Sequence, residues 1–197
     1  MSAPDVRPLS DGFLDWWFAP WALGGEPPGF ARHAGPLARR HGYRLWCDAA
    51  GIPADLPVSF DSGWQAAASA DAALLRRAAG LYAAMLAVRT GRQGALAAQP
   101  QGERRWCMGI AATQPLQALT EPGPATSLEN WGLAELAVAL DTEFAGLWPR
   151  LRIVLGSGEA DFARTAGIAT PAAAVRRLRC WRLCFDRAAQ TDMKEAA

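Results

Sequence analysis

From Thr126 to Leu155 the apolar positions Leu133, Leu136, Leu140, Phe144 and Leu147 recur at steps of three and four. That spacing lays one apolar stripe along a helix, with Glu135 and Glu143 off the stripe and expected on an exposed face. Thr126 followed by Glu129 has the spacing of a capping box at its start. Pro149 is expected to stop the helix, because it lacks an amide hydrogen and pushes Trp148 away from helical geometry. Beyond it, Leu151, Ile153 and Leu155 alternate with Arg150, Arg152 and Val154, which leaves room for one short strand or hairpin near 150–155 before Gly156-Ser157-Gly158 breaks the chain.

The same reading predicts further helices. One covers residues 30–50, with Pro36 near its start and Leu37, His41, Leu45 and Trp46 on one side. A second spans about 70–89, where Leu75, Ala78, Tyr82, Met85 and Leu86 line one face and Gly91 fits the C-terminal cap. Gly80 inside it costs about 1 kcal/mol against alanine, which points to another helix crossing closely there. A third, at 103–113, carries Trp106 and Ile110 and ends before Pro115. After a short stretch containing Phe162 and ending at Gly167, Thr170-Pro171 opens a last helix to about Ala189. It packs Leu178, Trp181 and Phe185 inward, with Arg176, Arg177, Arg179, Arg182 and Arg187 around the rest of its circumference. Loops are expected at Gly24–Gly29, Pro53–Gly63, Gln99–Gly102 and Glu121–Pro124, where glycine and proline defeat regular structure. The fold class is therefore mainly α, a single helical domain over 13–189 between flexible ends at 1–12 and 190–197.

Composition adds limits. A chain of 197 residues, 51% of them hydrophobic, can bury a sizeable core. A formal net charge of +1 gives no general basic footprint for nucleic acid or an anionic membrane. Nearly every basic residue is arginine, with Lys194 the one lysine. Neither a secretory leader nor an apolar run long enough to span a bilayer stands out, so a cytoplasmic protein with reduced thiols at Cys47, Cys107, Cys180 and Cys184 is expected. The nine tryptophans serve cores and interfaces equally well. The aromatic run Phe13–Trp21 either packs over the domain or forms a docking patch through Trp16, Trp17 and Trp21.

The residue chemistry offers little for catalysis. Cys180 and Cys184 share a helix face, but His33 and His41 lack zinc-finger spacing, and four ligands do not assemble. There is no nucleophile elbow, no Walker sequence and no dinucleotide fingerprint. No catalytic, cofactor-binding or metal-ligating residue is assigned, and no cofactor is expected. The arginine-rich last helix could track phosphates, yet without a wider basic surface it fits an acidic protein partner better. The candidate partner surface is accordingly Trp16, Trp17 and Trp21 together with Arg176, Arg177, Arg179 and Arg182.

In order, the chain presents Phe18-Ala19-Pro20-Trp21, LLRRAAGLYAAMLAVRTG (Leu74 to Gly91), ERRWCMGIAATQPL (Glu103 to Leu116), WGLAELAVAL (Trp131 to Leu140) and LWPRLRIVL (Leu147 to Leu155). This succession resembles the small cytosolic accessory proteins of bacterial type III secretion systems, the SctK group that includes YscK, OrgA and MxiK. The similarity covers about residues 13–158 and departs at Gly156, where the family pattern carries proline. What the resemblance implies is a non-enzymatic structural role in the sorting platform at the cytosolic face of the inner membrane. There the chain would link the cytoplasmic domain of an inner-membrane ring protein to the SctQ-type pod protein, peripheral to the membrane through its partners. Two other readings stay open: a helical regulator or chaperone that binds a peptide or nucleic acid, and a helical enzyme whose site, gathering His33 or His41 with carboxylates, forms only in three dimensions.

Overall fold

The computed structural model describes residues 8–23, 27–32, 35–155 and 170–195. Among them the chain is mainly helical, as its periodicity predicts. The helices are α1 (Asp11–Phe18), α2 (Pro36–Ala50), α3 (Gln65–Ala68), α4 (Ala72–Arg89), α5 (Gln101–Thr113), α6 (Leu128–Glu143), α7 (Leu147–Leu155) and α8 (Pro171–Glu195). Tight helical turns at Pro20–Leu23, Gly29–Arg32, Ser62–Trp64 and Gln93–Ala98 supplement them. The contacts gather into two compact units, Met1–Asp71 with Leu140–Ser157, and Ala72–Ala139 with Gly158–Ala197.

The second unit is built on α4, which packs against both α5 and α8. Its middle is buried on every side from Ala78 to Ala87, which a helix tolerates when neighbours cover its whole circumference. The Tyr82 ring stacks on Trp181 of α8 with centroids 4.3 Å apart, and Leu178 and Phe185 point inward beside it as expected. Gly91 takes a positive φ of 75° after α4, and the Arg92 amide donates to the Ala87 carbonyl (2.8 Å), closing the helix end. The close approach expected at Gly80 falls on another glycine. Gly80 meets only the Glu129 side chain, at 3.7 Å, whereas a Cβ on Gly132 of α6 would overlap the Ala79 carbonyl and lie 2.8 Å from the Ala79 Cα. Gly132 is thus the residue that lets α6 lie against α4.

Three expectations around α6 are corrected. Its cap is Ser127, whose hydroxyl accepts from the Asn130 amide at 3.2 Å; the Thr126 amide is used in a turn to Gly123 instead. Pro149 does not stop the helix. The break comes earlier, at Gly146 with φ 86°, and Pro149 falls in the first turn of α7, where its missing N–H would have had no intrahelical partner anyway. Residues 150–155 are helical, with no strand: Leu147, Arg150, Leu151 and Leu155 are buried together at helical spacing, so the arginine supplies the inward position that period-two counting treated as outward.

In the first unit, α1 begins at Asp11, inside the segment expected to be flexible. Ser10 caps it by accepting from the Phe13 amide. The α1 rings of Phe13 and Trp17 pack on Phe144, with centroids 5.6 Å apart in each pair. Pro36 opens α2 as predicted, but the helix starts there rather than at 30. At the other end of the chain Thr170 caps α8 through the Ala173 amide, and α8 runs past Ala189 to Glu195. The expected break at Gly156-Ser157-Gly158, the stretch around Phe162, His33 and the Gly24–Glu26 part of the first loop lie outside the described residues.

Candidate functional site

Among the described residues three places concentrate polar or exposed chemistry, and two of them are internal fasteners. The first is Arg150. Its side chain is fully buried, and among the described residues it hydrogen-bonds no carboxylate. Instead Nε donates to the Trp17 carbonyl (3.0 Å), Nη1 to the Gly146 carbonyl (2.9 Å), and Nη2 to both the Tyr43 hydroxyl (2.8 Å) and the Pro53 carbonyl. The guanidinium lies over the Trp17 ring, 3.6 Å from its centroid. Burial alone would favour losing the proton and lowers its pKa, but a planar fork of donors matched to four acceptors and an aromatic face holds the cation in place. One side chain so ties α1, α2, the connector after α2 and the turn before α7.

The second is Glu135 on α6, expected on an exposed face and found fully buried. Its Oε1 accepts from the Thr120 amide (2.7 Å), the Thr120 hydroxyl (2.7 Å) and the Leu119 amide (2.8 Å). Burial pushes its carboxyl pKa up, while those donors and the Arg177 cation pull it back. Arg177 is itself buried, not spread over the outer circumference of α8. The carboxylate therefore pins the irregular segment after α5 to α6. Glu143, its expected companion, is half-buried and accepts from the Trp64 indole at 2.9 Å.

The third is open to solvent. A groove of about 630 Å³ in the first unit has one wall made by Pro36, Arg39, Arg40, Tyr43 and Arg44 of α2. Phe18, Ala19, Trp21, Phe30 and Ala31 form the facing aromatic and aliphatic wall, and Ala54 and Asp55 complete the lining. The wall residues of α2 recur at steps of three and four, so they share one side of the helix. Gly42 shapes the place, since a Cβ there would meet the Phe30 ring at 2.8 Å. With no side chain in the way, Phe30 settles on α2 and stands edge-on to Trp21, centroids 5.6 Å apart. Phe18 keeps 49% of its surface exposed while its ring meets Tyr43 at 5.5 Å. The Tyr43 hydroxyl, fixed by Arg150, donates toward the Ala54 carbonyl at 3.2 Å; burial pushes its pKa up to about 12, so it remains a phenol. Arg44 pairs with Asp55 at 3.5 Å, both largely exposed. Arg39 and Arg40 are exposed, and neither has an ion pair among the described residues.

The expected partner residues separate accordingly. Trp16, Trp17 and Trp21 are buried, with Trp17 wholly inside; they build the first unit's core, and of the three Trp21 contributes to the groove wall. On α8, Arg177 is buried, Arg176 and Arg182 are half-buried, and Arg179 is exposed; Arg176 reaches the Pro115 carbonyl at 3.4 Å. The predicted side of α2, Leu37, His41 and Leu45, faces solvent rather than a core, with Leu37 81% exposed. The buried residues of α2 are Tyr43 and Cys47. The sequence reading missed the arginine-flanked groove; its signal was the pairing of Arg39, Arg40 and Arg44 with Phe18 and Phe30, separated in sequence by two proline-containing stretches.

Among the described residues no group of three histidine, cysteine or acidic side chains gathers as metal ligands, and no helix is long and apolar enough to cross a membrane. All four cysteines are free and buried, and burial pushes the Cys107 thiol up to about 12, far from a reactive thiolate. Comparison with known proteins finds no matching family model, no matching curated protein and no matching solved structure.

Proposed function

We propose that this chain is a non-enzymatic adaptor that receives a protein partner in the groove between α2 and the Phe18–Ala31 wall. One observation carries the reading: two exposed arginines, without ion pairs among the described residues, stand beside half-exposed aromatic rings in an open cleft. Aromatic and arginine side chains are the residues that anchor protein interfaces. The polar groups buried elsewhere serve as fasteners: Arg150 and Glu135 spend their hydrogen bonds on the chain's own backbone.

The finer assignment rests on the succession of segments that resembles the SctK group. On that reading the adaptor works in a type III secretion sorting platform at the cytosolic face of the inner membrane, between an inner-membrane ring protein's cytoplasmic domain and the SctQ-type pod protein. The test is affinity purification of the tagged full chain from its native cell, with the bound proteins identified by mass spectrometry. Recovery of the ring protein or the pod protein at near-equal amounts supports the assignment. Recovery of the chain free of any secretion component overturns it.

A further inference from the structure

We infer that the groove takes an acidic amphipathic helix, seated with its carboxylates toward Arg39, Arg40 and Arg44 and a large apolar side chain against Phe18 and Phe30. This inference rests on the adaptor reading and specifies the partner's chemistry. Charge decides the sign. Among the described residues the lining carries Arg39, Arg40 and Arg44 against the carboxylate of Asp55, and the Arg44–Asp55 pair is exposed on both sides, so an incoming carboxylate can displace it at little cost. Like-signed partners are rejected by the same charges.

Geometry decides the conformation. One wall is the helix α2 and the other is the end of α1 with the short helical turns after it, and they offer no strand edge. An extended peptide would leave most of its own amides unpaired in an aromatic cleft whose charged groups are mainly donors, whereas a helix arrives with these groups already satisfied. The α2 wall from Pro36 to Arg44 is about 12 Å long at helical rise, room for about two turns of a second helix. Arg40 and Arg44, one turn apart, can each meet a carboxylate placed one turn apart on the occupant.

The probe is a fluorescein-labelled, side-chain-stapled helical peptide with glutamates at two positions four apart and one leucine or tryptophan on the adjoining face. A lysine-for-glutamate version and a single-stranded oligouridylate serve as comparators. Fluorescence anisotropy with the full chain should show the acidic helix binding at least about tenfold tighter than the basic one, with affinity falling as salt rises. R39E/R40E should reverse that preference, and F18S should weaken both peptides, while far-UV circular dichroism stays unchanged. Equal binding of acidic and basic peptides, indifference to R39E/R40E, or tighter binding of the oligouridylate would overturn the inference. The two readings fail differently: co-purified partners that remain bound to R39E/R40E and F18S refute the groove as the docking place, and with it this occupant, leaving an adaptor that works through another surface, whereas a full chain that co-purifies with no assembly component refutes the adaptor itself.

Discussion

Replacing Arg150 by methionine removes the fastener behind the groove while keeping a similar stem. The Trp17, Gly146 and Pro53 carbonyls and the Tyr43 hydroxyl lose their guanidinium donors together. Each lost bond is worth about 1 kcal/mol net, and an acceptor left buried and unpaired costs more. Loss of the stacking on Trp17 adds about 1 kcal/mol. Against this, the variant no longer has to strip a cation of water, which returns part of the loss. The expected net destabilisation is about 3–5 kcal/mol. With a urea dependence of about 2 kcal/mol per molar, the midpoint of the first unit's transition, followed by tryptophan fluorescence, should fall by about 2 M. Arg150→Lys should recover less than half of the difference, because one ammonium cannot fan out to four acceptors in different directions. A midpoint shift below about 0.5 M for the methionine variant would refute the fastener argument.

Two glycines of the second unit should respond in opposite ways. Gly132→Ala drives a methyl into the Ala79 backbone and should cost at least about 1–3 kcal/mol in denaturant unfolding. Gly80→Ala meets only ordinary contact and should gain up to about 1 kcal/mol of helix propensity; a loss at Gly80 would mean that α6 approaches there instead. Glu135 carries a pH signature. Its folded pKa is raised, chiefly by burial, so the folded state holds its proton more tightly than the unfolded chain does. The resulting stability is fully present below the unfolded value of about 4.3 and is lost as pH rises through the folded value. Urea titrations from acid to neutral pH should show the advantage of wild type over Glu135→Gln shrinking as pH rises; a constant or growing advantage contradicts this.

The helices were legible because the side chains that cover them repeat at their own period. Leu133, Leu136, Leu140, Phe144 and Leu147 sit inside as their spacing demanded, and Thr170-Pro171 marked a helix start by local chemistry alone. What local pattern could not reveal was burial of charge. Sequence pattern puts Glu135, Arg150 and Arg177 outside, because a charged side chain goes inside only where distant segments bring it partners. For Glu135 and Arg150 those partners are backbone groups of Leu119, Thr120, Trp17 and Pro53, which no periodicity encodes. Arg150 also misled the strand reading, since counting it as outward turned a helical stripe into an alternation. The groove escaped for a related reason: its walls come from α1, two turns and α2, brought face to face by contacts between distant residues such as Phe30 with Gly42 and Phe18 with Tyr43.

Hydrogen exchange with mass spectrometry, on the full chain alone and in its purified native complex, tests the docking claim most directly. Partner binding should slow exchange in the peptides covering Asp11–Phe18 and Pro36–Arg44, and R39E/R40E should abolish that protection without changing exchange in α4. Protection confined to α5 or α8, with the α2 peptides exchanging as in the free chain, would contradict the account.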